Sequence, residues 1–168
     1  MTLDALLKDY AAYNLWANTA YINWLRTKPA DLMTREVPSS FPTIKDTLLH
    51  IWSAEQVWLE RLQGISPTKF VSIGFTGTTE DVFAGILQTS AAFEAHIRDQ
   101  IEAFFQETCP FRLLNGTEDA RPRHQMILHC MQHSTFHRGQ VVTIARNLGI
   151  TDPPQTDYIK YVRLMNEA

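Results

Sequence analysis

Cysteine is scarce: Cys109 and Cys130 are the only two in 168 residues. That excludes a disulfide framework and, in a reducing compartment, leaves two thiols. Basic charge is not in excess either. Fifteen Lys and Arg against 18 Asp and Glu give a formal net charge of -3, without the clustered basic field that nucleic-acid-binding domains carry. The opening MTLDALLKDYAAYN places Asp4 and Asp9 inside an amphipathic pattern and lacks a charged leader followed by an apolar run. It reads as a helix rather than a signal peptide, so the expected compartment is the cytoplasm. There is no internal repeat of solenoid period. Neither nucleic acid nor a membrane is an expected partner, which leaves a small molecule or another protein chain. What is present is ordinary for a soluble globular protein, 45% hydrophobic and 20% charged residues. The length fits one domain spanning residues 1–168.

Apolar residues recur at helical spacing from Leu3 to about Lys28, where Pro29 stops them. The segment ADLMTREVPSSFP reads as a connection ending at Thr43, an N-cap with Asp46 in the first turn. A second helix is predicted over Ile44 to Leu62, with Gly64 placed to end it. Residues 66–78 mix Pro67, Gly74 and Gly77 with β-formers and read as loop. Thr79, Glu80 and Asp81 start a third apolar stripe that runs to about Glu107. The stretch CPFRLLNGTEDARP carries the turn dipeptide Asn115-Gly116 and is either a small hairpin or a loop. Pro122 suits the first turn of a fourth helix that ends near Leu148, before Gly149. A short amphipathic piece follows around Tyr158 to Leu164. The fold expected from this order is all-α, an antiparallel four-helix bundle with a short C-terminal helix.

The fourth helix contains HCMQHSTFHRGQ, with His129, His133 and His137 at a uniform spacing of four. Residues four apart stack one turn above the other, close enough to share an ion. All three cannot easily do so, because His129 and His137 stand roughly 12 Å apart at a rise of about 1.5 Å per residue. Met126, Cys130, His133, His137, Val141 and Ile144 follow one apolar stripe, so the inward pair is His133 and His137. His129 lies about 40° to the side, as a donor flanking the site or a hydrogen-bonded residue near the surface. A third ligand has to come from another helix. His50 is the leading candidate, on a helix otherwise rich in tryptophan and leucine where a buried imidazole needs a partner.

Three segments, TLLHIWSAEQVWLERLQG, HCMQHSTFHRGQVVTIARNLG and DPPQTDYIKYV, together resemble the DinB/YfiT-like family of metal-dependent enzymes, a family of small bundles unrelated to the polymerase of similar name. The resemblance covers nearly the whole chain. It implies a four-helix bundle, commonly a homodimer, with one divalent metal held by His50, His133 and His137. In the family the position of His129 is occupied by a histidine that is not a ligand. Three neutral nitrogen donors leave a position for water or substrate, as in catalytic rather than structural sites. They suit nickel or zinc, the former favoured by the resemblance. The resemblance implies transfer from a low-molecular-weight thiol, and hydrolysis by a metal-bound hydroxide is the other reaction such a site would support. The run HSTFH lacks the glutamate of HExxH proteases, which leans the expectation toward transfer. The alternative is a non-catalytic, stress-induced dimer whose metal is structural or sensory.

Cys130 is either a fourth ligand or a small buried residue, the ordinary state of a free cysteine. Asp46 and Glu55 are acceptors that orient a ligand imidazole or, the ordinary reading for each, part of a solvated helix face. Gly139 is expected to allow close helix approach. Arg138 and Gln140 are placed beside the site or a dimer interface. The four tryptophans are expected in the core or an interface.

Overall fold

The computed structural model describes residues 2–167. In chain order the elements are α1 (Leu3–Arg26), a 3-10 turn (Ala30–Thr34), α2 (Ile44–Leu62), α3 (Thr79–Arg98), α4 (Glu102–Gln106), β1 (Thr108–Arg112), β2 (Glu118–Pro122), α5 (Arg123–Asn147) and α6 (Tyr158–Asn166). Thr43 caps α2 as its sequence predicts, accepting from the Asp46 backbone N–H at 2.9 Å. At α3 the cap is Thr78, one residue before the expected start, and it forms a reciprocal capping box with Asp81.

α1, α2, α3 and α5 make the bundle, in which α1 and α2 each pack on both α3 and α5. One apolar cluster joins Ile22 and Leu25 of α1 to Leu48 and Ile51 of α2, Val82 and Ile86 of α3, and Val141 and Ile144 of α5. The other joins Leu7, Leu59, Leu62, Phe93, Ile97, Met126 and Ile127. The C-terminal ends of α1 and α5 therefore meet the N-terminal ends of α2 and α3. Two helices run up and two run down, with α1 antiparallel to α3 and α2 antiparallel to α5. The link from α2 to α3 must return along the bundle's length, as crossover connections do. The loop expected at residues 66–78 is this crossover. Val71 and Phe75 bury against the first cluster, and the Ser72 N–H donates to Ser53 Oγ at 3.1 Å.

Between the two clusters lies a buried polar layer. Glu55, fully buried, accepts on Oε1 from Asn14 (2.7 Å), Asn18 (2.9 Å) and Ser134 (2.8 Å), and on Oε2 from Ser90 (2.6 Å). Arg138, also buried, donates to the side-chain oxygens of Asn14 (2.6 Å) and Asn18 (2.9 Å). This corrects one expectation, since Glu55 is not on a solvated face, and it places Arg138 in the polar layer rather than among the lining of the histidine site. A carboxylate taken out of water requires such donors, and here they come from all the other bundle helices.

The third stripe does not run unbroken to Glu107. α3 stops at Arg98, and α4 begins three residues after Asp99. The Gln100 amide takes the free His96 carbonyl at 2.9 Å. The turn folds Phe105 into the second cluster, leaving Ile101 74% exposed. Continuing the helix would carry Phe105 past the end of the bundle. The segment after it is a hairpin, with Thr108 paired to Pro122 and Arg112 to Glu118. Gly116 supplies the positive φ of 86° at its turn.

Gly139 does not serve close approach, since a Cβ there would meet nothing within 4 Å. That role belongs to Gly85, where a Cβ would fall 2.4 Å from the Trp52 ring. α6 lies against α1, with Tyr161 packed on Tyr13 and Trp16.

Candidate metal centre

The apolar stripe of α5 fixes the direction of its histidines. Met126, Cys130, Val141 and Ile144 are buried, and between them His133 and His137 turn toward α2. There His50 meets them. The Nε2 atoms of His50 and His133 stand 3.0 Å apart, and one ligand atom from each of the three rings lies within 4.8 Å of the others. Among the described residues these three form the group of His, Cys, Asp and Glu that could hold a metal ion. Two nitrogens at about 2.0–2.1 Å from one ion lie about 3 Å apart when the angle between them is near 90°, so the His50–His133 spacing fits a shared ion.

Protonation fits as well. Burial, then the neighbouring His137 charge, lowers the His50 pKa to about 4. Burial and the charges of His137, His50 and His129 lower His133 to about 3. Burial also lowers His137, against the hydrogen bond to Gln140. At neutral pH all three are neutral imidazoles, the form that binds metals. His137 Nδ1 lies 2.7 Å from Gln140 Oε1. This carbonyl oxygen accepts from Nδ1–H and leaves Nε2 free to face the centre. Among the described residues His133 Nδ1 is buried with no hydrogen-bond partner. Phe41, from the link before α2, stacks on His50 at 4.3 Å between centroids and meets His137 at 5.7 Å.

Other expected site residues fall outside the cluster. His129 is largely exposed, its ring 4.9 Å from Trp58 and 6.2 Å from His133. Cys130 is fully buried, and burial with the Glu55 charge pushes its thiol pKa well up, so it sits as a small core residue rather than beside the imidazoles. Asp46 is engaged by Thr43 in the α2 cap. Of the tryptophans, Trp58 borders the site while also packing against the second cluster.

A cavity of about 400 Å³ opens beside His50 and His133. α2 supplies Ala54, Val57, Trp58 and Arg61, the hairpin turn supplies Leu113, Leu114 and Asn115, the crossover supplies Phe70, and α5 adds His129. Its walls are chiefly apolar, and the histidines and Arg61 supply its charged or titratable groups, an arrangement common to small-molecule sites. A larger, open hollow of about 670 Å³ lies on the hairpin, lined by Arg112, Glu118 and Arg121, and holds none of the histidines. Phe41 and Arg61 gave no sequence signal, because a lone aromatic in a loop and a basic residue in a last helical turn are both ordinary.

A helical bundle with three histidines from two facing helices beside an apolar cavity defines a class of protein, and sequence comparison assigns it. The DinB family model matches residues 1–167, and the chain belongs to the DinB family. It is similar to protein DinB of Bacillus subtilis (strain 168), with 24% identity over 156 residues covering 89% of this chain and 90% of that protein. Among solved structures, a DinB-like protein from Bacillus cereus ATCC 10987 superposes with a TM-score of 0.67 at 15% identity, covering 86% of this chain and 91% of the other. A DinB-like protein from Bacillus subtilis gives 0.66 at 14% identity, covering 88% and 97%. These likenesses establish the fold. No described helix is long and apolar enough to cross a membrane.

Proposed function

We propose that this protein is a metal-dependent enzyme acting on a small molecule, with His50, His133 and His137 holding one divalent ion, nickel or zinc. The observation that carries the reading is the convergence of three neutral imidazoles within 4.8 Å at the edge of a mostly apolar cavity. An ion so held would supply Lewis acidity and would lower the pKa of a water or thiol that it binds. The chain does the rest. Gln140 fixes the His137 ring. Trp58, Phe70 and Leu113 give the cavity apolar walls, which suit the apolar part of a small molecule. His129, on the cavity wall, is placed to take a proton from an entering thiol or water.

The reaction we favour is transfer from a low-molecular-weight thiol to an electrophile, with hydrolysis as the other version. Among the described residues the site lacks the carboxylate base of HExxH-type hydrolases, since Glu55 is saturated by four donors. A homodimer in the cytoplasm completes the proposal. A second reading, a non-catalytic dimer with a structural or sensory metal, is favoured by Phe136, which is 65% exposed and lies against His137.

The test is turnover by metal-loaded protein in a screen of thiols against electrophiles. Thiol-dependent turnover lost in His133→Ala is expected. Turnover without thiol points to hydrolysis, turnover indifferent to metal overturns the reading, and metal binding without turnover favours the dimer.

A further inference from the structure

We propose that Arg61 anchors a carboxylate on the molecule that enters the cavity, so that the ligand is a small molecule with an apolar body and an anionic end. The inference rests on the reading of that cavity as the reaction site. Arg61 is only 5% exposed and lines the cavity beside Trp58. Among the described residues its guanidinium makes one long hydrogen bond, from Nη2 to the Arg112 carbonyl at 3.4 Å. Its Nε is buried with no partner among those residues.

No described carboxylate lies within ion-pair distance of Arg61. Asp119, whose charge acts on it, is paired instead with Arg121 at 3.1 Å. What the protein provides is aromatic: the guanidinium carbon lies 4.7 Å from the Trp58 ring centre and 4.8 Å from that of Phe111. Those rings are themselves 5.7 Å apart, too close to cover opposite faces of the guanidinium. Both stand to one side and orient it.

A buried cation without an ion-pair partner is costly, and burial lowers the Arg61 pKa although the Asp119 charge opposes it. A guanidinium has five donors in a planar fork that matches the two oxygens of a carboxylate. The remaining cavity wall, Ala54, Val57, Phe70 and Leu113, suits an apolar body between that fork and the histidines.

The test is calorimetric titration of 3-phenylpropionate and its neutral amide into the full chain, both metal-loaded and chelator-stripped, with metal content measured on the same samples. Wild-type protein is expected to bind the acid about tenfold or more tightly than the amide in both metal states. Arg61→Met should bind the two alike, and Arg61→Lys should keep part of the preference. Equal binding of acid and amide, no binding of the acid, or a preference that survives Arg61→Met overturns the proposal. So does a preference confined to metal-loaded protein, which would assign the carboxylate to the ion. The wild-type comparison stands whether or not either variant folds. An Arg61-dependent preference in protein that takes up no metal keeps this inference and sinks the metal reading. One metal per chain with no preference does the reverse.

Discussion

Glu55 and Arg138 carry opposite charges inside the bundle and are joined through Asn14 and Asn18, each of which donates to the carboxylate and accepts from the guanidinium. Removing either charge leaves the other buried and uncompensated. Glu55→Gln and Arg138→Met are each expected to cost about 3 kcal/mol or more, measured by urea denaturation. The double variant should lose clearly less than the sum, with a coupling of about 1 kcal/mol or more. Additive losses would show that the two charges act independently. Because Ser134 donates to Glu55 at 2.8 Å directly beside His133, the same layer sets the α2–α5 register on which the histidines depend.

Gly85 and Gly139, both within helices, should respond in opposite directions to alanine. At Gly139 there is open space, so Gly139→Ala should stabilise by up to about 1 kcal/mol through helix propensity. At Gly85 the new methyl would strike the Trp52 ring, and overpacking should cost about 1–3 kcal/mol. Thermal melts of the two variants decide it. A stabilised Gly85→Ala would mean that Trp52 moves freely.

These contrasts mark what was legible in the sequence. The caps and breakers at Thr43, Pro29 and Gly149 are local chemistry, and they located helix ends to within a few residues. The inward direction of His133 and His137 followed from the α5 stripe, since facing is set by period alone. Glu55 was misplaced because its donors sit on other helices, and α2 alone says nothing of them. A signal existed in α1, where Asn14 and Asn18 lie four apart among buried Ala11, Tyr13, Ala17 and Tyr21, polar residues on an inward face that require a partner. The break after Arg98 was hidden because Ile101, Phe104 and Phe105 continue the α3 period, whereas Phe104 and Phe105 in fact pack on the second cluster from a separate short helix and Ile101 stays exposed. Gly85 opposite Trp52 depends on pairing α2 with α3, which the long crossover makes parallel.

The metal-free protein should weaken in mild acid. His50 titrates at about 4 and His133 at about 3 in the folded chain, against about 6.5 in an unfolded one. The unfolded state therefore binds more protons across this window. The stability at stake is fully present above about pH 6.5 and is lost as pH falls toward the folded values. Thermal midpoints of chelator-stripped wild type and His133→Ala, compared from about pH 8 to about pH 4, should show wild type losing more. Parallel curves would contradict the lowered His133 pKa.

His129 should matter to turnover and not to metal content. His129→Gln is expected to retain the ion and to lower thiol-dependent turnover by about tenfold or more. Unchanged turnover would remove His129 from the chemistry.

The central claim is that His50, His133 and His137 hold one ion. Elemental analysis of protein purified without a histidine tag or chelator tests it most directly, set against His50→Ala, His133→Ala and His137→Ala with folding checked by circular dichroism. The prediction is about one nickel or zinc per chain in wild type and little in each folded variant. Wild type without metal after exposure to either ion, or stoichiometric metal that survives all three substitutions, would contradict it.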